Sequence, residues 1–156
     1  MAAEVGRPAP DFTLDGSDMT DAGRRPYSLA DYRGQVVVLV FYPGDNTSVC
    51  TRQLNAYSED IGSFEAAGAQ VLAISPQSVQ SHDDFACKQG GFGFPLLADT
   101  DKAVGQAYGI VGPLGFYRRS VFVVGRDGTI AYAHRSQLGI TFRPSDELIK
   151  AVKAAS

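Results

Sequence analysis

The sequence predicts an α/β domain, a mixed sheet with helices on both faces. Three observations lead there. Residues 35–42 form an apolar, β-branched run without alternation, the pattern of a central strand covered on both sides. Further short apolar runs follow, separated by segments in which apolar residues recur at spacings of three and four. Near the end, two strand-like runs flank Arg126-Asp127-Gly128, a hairpin signal that adds an antiparallel pair.

The elements follow in order. Residues 11–14 and 26–29 read as short extended pieces, and Ser28 precedes a single helical turn over 29–32 that Gly34 closes. The strand over 35–42 ends at Pro43-Gly44. A helix comes next, because Leu54, Tyr57, Ile61 and Phe64 repeat at helical spacing; Thr47 or Ser48 is its N-cap and Gly68 its C-cap glycine. Residues 71–74 form the next buried strand, and 78–89 a second helix that stops at Gly90-Gly91. A short strand over 94–97 and a short helix over 102–108 precede the hairpin strands 120–124 and 129–132. Ser145 caps a final helix over 146–154, with acids in its first turn and lysines near its end, as the helix dipole favours. No repeat or linker interrupts residues 1–156, so one domain is expected. The cluster Gly90-Gly91-Phe92-Gly93 neither follows a strand nor opens a helix, so it reads as a helix stop and loop rather than a nucleotide site.

Composition narrows the function. The chain has 156 residues, 44% hydrophobic and 20% charged, ordinary values for a globular domain. Fourteen Lys and Arg against 17 Asp and Glu give a net charge of −3, which argues against a nucleic-acid or anionic-membrane partner. The run at 36–42 is too short to span a bilayer, and the opening residues have no signal-peptide pattern, so a cytoplasmic location is expected. Cys50 and Cys87 are the only cysteines, too few for a disulfide scaffold, and His82 and His134 do not sit at metal-ligand spacing with them. No metal is expected. Neither histidine draws a functional role, and Tyr108 and Tyr117 either line the approach to the site or, the better reading, are ordinary packing residues.

The segment Phe41-Tyr42-Pro43-Gly44-Asp45-Asn46-Thr47-Ser48-Val49-Cys50-Thr51 carries the chemistry. A buried strand delivers the chain through a tight loop into a helix whose first turn holds Cys50. Unpaired N–H groups and the positive dipole end favour a thiolate there. The Thr47 hydroxyl can fold over the same spot. On helix position alone, a reactive thiol and a small buried hydrophobe fit equally well.

The segment resembles the peroxiredoxin motif Pro-x-x-x-Thr-x-x-Cys, present as Pro43, Thr47 and Cys50, and its flanks are similar to the bacterioferritin-comigratory (Q-type) subfamily. The likeness covers most of the chain: residues 11–14 resemble the family's early strand, 94–99 its segment before the short helix, and 119–124 the strand that opens with the active-site arginine. It implies a thioredoxin fold with an N-terminal extension and a peroxidase without metal, haem or flavin. Carried over by position, Cys50 is the peroxidatic nucleophile, Thr47 hydrogen-bonds the peroxide, Pro43 shields the thiolate, and Arg119 holds thiolate and peroxide by charge. Arg118 points to the other face of its strand. Gln53, one turn from Cys50, either orients Arg119 or is simply exposed. Ser48 stands where many Q-type relatives carry proline and can still cap the helix.

The resemblance also implies a resolving cysteine, but the common Q-type position is Asn55 here. Cys87 matches the less common pattern with the resolver in the following helix. The periodicity of 78–89 places it opposite the apolar face of Val79, Phe85 and Ala86, so it is either a resolver or an incidental surface thiol. With the two helices expected on separate layers, a Cys50–Cys87 bridge requires local unwinding, for which Gly44 and Gly90-Gly91 are natural hinges. Hydrogen peroxide or small alkyl hydroperoxides as substrate, thioredoxin or a similar dithiol as reductant, and a monomer rather than a dimer complete the expectation. Without a Cys-x-x-Cys motif, disulfide exchange of the thioredoxin type is the weaker reading.

Overall fold

Strand β3 (Val36–Phe41) is buried at every residue on both faces, and the fold is built around it. The computed structural model describes residues 3–17, 25–45, 48–89, 92–112, 115–135 and 142–155, apart from the side chains of Ser48 and Lys88. Seven strands are joined in the order β2-β1-β5-β4-β3-β6-β7, with β1 at Thr13–Ser17, β2 at Arg25–Ser28, β4 at Ala69–Ser75, β5 at Leu96–Ala98, β6 at Ser120–Val124 and β7 at Ile130–Arg135. β3, β4 and β5 are parallel, and β1, β2, β6 and β7 extend the sheet antiparallel on either side. Central parallel strands covered on both faces explain the unbroken apolar run.

Alternate residues of β3 feed two cores. Val36, Val38 and Val40 face a layer made by helices α1 (Ser48–Glu59), α2 (Ile61–Ala66), α3 (Val79–Lys88) and α5 (Ser145–Ala155). Val37, Leu39 and Phe41 face the 3-10 turn at Leu29–Tyr32, helix α4 (Ala103–Ala107) and the aromatic group Tyr108, Tyr117 and Phe122. Tyr117 donates to the buried Asp99 carboxylate and Tyr108 to the Pro10 carbonyl oxygen (2.7 Å), so both are packing residues of this second core. Gly128 turns the predicted hairpin at φ +85°, a left-handed conformation that glycine adopts without strain.

The sequence and the structure differ at several elements. The helix expected to run from residue 48 past Phe64 stops at Glu59 and restarts at Ile61. Asp60 and Gly62 are poor helix formers, and the break lets Phe64 bury completely in the first core. Gly68 still terminates the pair, at φ +81°. Ser48 and Ser145 are first helical residues rather than caps. The first strand begins at Thr13, two residues later than expected, because it pairs with β2 and β5 through Thr13 to Ser17. The helices carrying the two cysteines share a layer rather than lying on separate ones, since Phe85 and Ala86 of α3 join the core that holds Cys50 and Leu54 of α1. Asn55 on α1 donates to Gln89, the residue capping α3, at 3.0 Å. Gly90 and Gly91 lie outside the described residues, and Gly44 is buried in the loop after β3.

Candidate active site

β3 and β6 are antiparallel with Phe41 opposite Ser120, so the chain leaves β3 beside the residue that precedes β6. That residue is Arg119. The same exit from β3 leads through Pro43, Gly44 and Asp45 toward α1, whose first turn holds Cys50. Sheet register thus sets a cysteine and an arginine 69 positions apart against each other.

Arg119 Nη2 donates to Cys50 Sγ at 3.2 Å, and Nη1 donates to Gln53 Oε1 at 2.6 Å. Cys50 and Gln53 are fully buried and Arg119 is 3% exposed. A buried guanidinium needs acceptors or negative charge around it, and Gln53 Oε1 and Cys50 Sγ are the acceptors that face it here. Gln53 is therefore packed against Arg119 rather than exposed. Behind it, Gln53 Nε2 donates to Tyr57 Oη (3.3 Å), and the Tyr57 hydroxyl donates to the Arg143 carbonyl oxygen (2.6 Å) just before α5. Burial pushes the Tyr57 hydroxyl up to about 12, so it stays neutral and keeps donating. Cys50, Gln53 and Tyr57 lie at i, i+3 and i+7 on one face of α1, a polar row inside an apolar layer. Periodicity marks Tyr57 only as an apolar position of the helix. Its spacing from Cys50 is the signal that could have placed it behind Arg119.

The remaining residues fall as follows. Pro43 is half-buried at the head of the loop, and Thr47 lies outside the described residues. Arg118 is half-exposed, its backbone N–H donating to the Ile110 carbonyl at 2.6 Å. Cys87 is an exposed free thiol on α3, and Cys50 is likewise free. His82, to which the sequence assigns no role, is fully buried and bonded to Asp45, 37 positions away. Among the described residues, no group of His, Cys, Asp and Glu could hold a metal ion, and no helix is long and apolar enough to cross a membrane.

Gln53 offers a direct check on this geometry. Gln53→Leu keeps the volume but removes the acceptor that fixes Nη1. We expect the rate of reaction with peroxide to fall about 10-fold while thermal unfolding stays cooperative. An unchanged rate would mean that Arg119 holds its place without Gln53.

A mixed sheet whose central parallel strand runs into a helix, with a buried first-turn cysteine hydrogen-bonded by an arginine that precedes the neighbouring strand, defines a thioredoxin-fold protein with a thiol set against a cation. Residues 5–133 match the AhpC/TSA family, and the chain belongs to it. It is 36% identical over 159 residues to peroxiredoxin-2 of Rattus norvegicus, covering 97% of this chain and 79% of that one. To the thioredoxin peroxidase of Echinococcus granulosus it is 33% identical over 161 residues, covering 99% and 82%. The solved structure of a cysteine-to-serine mutant of Xylella fastidiosa PrxQ matches with a TM-score of 0.84 and 30% identity, covering 99% of this chain and 98% of that one. The protein is accordingly a thiol-dependent peroxidase.

Proposed function

We propose that Cys50 attacks the peroxide and Cys87 resolves the product, with hydrogen peroxide or a small alkyl hydroperoxide as substrate. The carrying observation is the 3.2 Å hydrogen bond from Arg119 Nη2 to Cys50 Sγ. The Cys50 thiolate attacks one peroxide oxygen and breaks the O–O bond, taking that oxygen as a sulfenic acid and releasing water or an alcohol once the leaving oxygen gains a proton. Negative charge moves from sulfur onto oxygen in this step, and a guanidinium with two donor nitrogens can follow it. Thr47 would hydrogen-bond the peroxide, and Pro43 would shield the thiolate from water.

Cys87 sulfur then attacks the sulfenic sulfur, forming a disulfide and expelling water. Two observations favour this resolver: Cys87 is exposed, and α3 packs on the same sheet face as α1, tied to it by Asn55 and Gln89. Because Cys50 is fully buried, its turn of α1 must loosen before the bridge forms. A dithiol such as thioredoxin would return both thiols by exchange, as the name of the Echinococcus granulosus relative suggests. A reducing compartment such as the cytoplasm suits this cycle, and we favour a monomer.

The test is intact mass and non-reducing peptide mapping after one equivalent of hydrogen peroxide. A loss of two hydrogens with a Cys50–Cys87 peptide supports both roles. Oxygen gained on Cys50 with Cys87 free would keep the nucleophile and assign resolution to an external thiol. Cys87→Ser is expected to complete one turnover and then stall or over-oxidise in the presence of thioredoxin. Undiminished cycling in a coupled assay would remove Cys87 from the mechanism.

A further inference from the structure

A buried ion pair stands beside the reacting cysteine, and neither peroxide attack nor resolution uses it. His82 on α3 is fully buried, with Nδ1 2.8 Å from Asp45 Oδ2 and Nε2 2.8 Å from the Leu97 carbonyl oxygen. The ring thus sits between two oxygen partners, the Asp45 carboxylate at Nδ1 and the Leu97 carbonyl at Nε2. Asp45 is held from several directions. Tyr42 Oη donates to its Oδ1 at 2.7 Å, Ser81 Oγ donates to its Oδ2 at 2.7 Å, and its own backbone N–H donates to Gln77 Oε1 at 2.6 Å. Burial pushes the Asp45 carboxyl up, but the hydrogen bond and charge of His82 outweigh it and leave the group below the usual carboxylate range.

Stability alone is a poor reason for this arrangement, since a well-packed apolar pair often serves a fold as well as a buried ion pair. Its location offers a better one. Asp45 lies in the loop between β3 and α1, two residues after Pro43 and five before Cys50. Tyr42 shares the Cys50 core, and its hydroxyl, pushed well up by burial and by Asp45, also feels the charge of Cys50. The bonds reach from this one loop residue to the end of β3, the β4–α3 connection, α3 and, through His82, β5. A segment that must approach a reacting sulfur on a fixed line is thereby clamped to four parts of the scaffold.

We propose that His82, acting through Asp45, is a positioning residue for peroxide attack: the pair fixes the loop so that Pro43 and the first turn of α1 hold the approach line to the Cys50 sulfur. His82 acts through the loop, not on the reacting atoms. The inference rests on the reading of Cys50 as nucleophile.

Two reactions of the same sulfur separate positioning from general damage. Alkylation by iodoacetamide needs a charged, reachable thiolate, whereas peroxide attack also needs a set line and aligned donors. In His82→Gln, we expect the rate of Cys50 oxidation by hydrogen peroxide to fall roughly 10- to 100-fold. Alkylation, followed at the Cys50 peptide, is expected not to fall, and thermal unfolding to stay cooperative. Unchanged peroxide reactivity in the folded variant, or equal loss in both reactions, overturns the inference. Should His82→Gln not fold, Asp45→Asn decides on the same pair of rates, and failure of both variants to fold would make the pair a stability element and overturn the inference as well. If the wild-type protein shows no Cys50-dependent peroxide consumption, the reading of Cys50 falls and the inference falls with it, whereas a His82→Gln protein that keeps full peroxide reactivity overturns the inference alone.

Discussion

Cys50→Ser is expected to lower peroxide consumption by about 10³-fold or more, because a serine hydroxyl at this position is not ionised and oxygen is a poor nucleophile toward an O–O bond. Serine is close to cysteine in size, and Cys50 is one residue in a large buried core, so thermal unfolding should be little changed. Loss of activity can then be assigned to chemistry. The measurement is peroxide consumption under excess reductant, beside the unfolding curve of the same preparation. Appreciable residual turnover would remove Cys50 from the nucleophile role and direct attention to Cys87, the only other thiol in the chain.

The second large effect concerns Arg119. Arg119→Ala removes the donor on the sulfur together with the donor on Gln53. Charge moves between sulfur and the peroxide oxygens during attack, and a preorganised cation in a dry site acts on the transition state without reorganising. Loss of one such group is expected to slow peroxide reduction by about 10²- to 10³-fold. Arg119→Lys should recover little, since one ammonium cannot span Cys50 Sγ and Gln53 Oε1 with the fixed fork of a guanidinium. Stopped-flow measurement of the reaction with peroxide, with wild-type and Arg119→Lys in parallel, tests both statements. Full activity in Arg119→Ala would mean that the hydrogen bond on the sulfur is not what drives the reaction, and full activity in Arg119→Lys that the guanidinium fork is not needed. The milder loss expected for Gln53→Leu follows from the same geometry, because that change disturbs the arginine without removing it.

Much of this arrangement was legible in the residues. Periodicity is local, so the all-apolar run of β3, the hairpin at Gly128 and the outward position of Cys87 could be read from a few neighbours. The Pro43–Thr47–Cys50 spacing and Arg119 before an apolar strand were legible for the same reason, and they carry the family resemblance. Where two weak local preferences compete, local pattern misleads. Leu54, Tyr57, Ile61 and Phe64 keep helical spacing across Asp60, yet the chain breaks there, beside the weak helix formers Asp60 and Gly62, and Phe64 is fully buried in the short helix that follows.

By itself, then, the sequence determined the order of elements, the buried central strand, and the placement of a cysteine in the first turn of the helix that follows it. Only the tertiary structure decided which distant side chains meet. Antiparallel pairing of β3 with β6 brings Arg119 to Cys50, and packing of α3 on the same face as α1 puts the helix of Cys87 in the same layer as the helix of Cys50. His82 is turned inward onto Asp45 by the same packing. The physical reason is that backbone periodicity depends on residues three or four apart. A hydrogen bond across 66 or 69 positions depends instead on which strands become neighbours in the sheet, and that is decided between segments far apart in the chain.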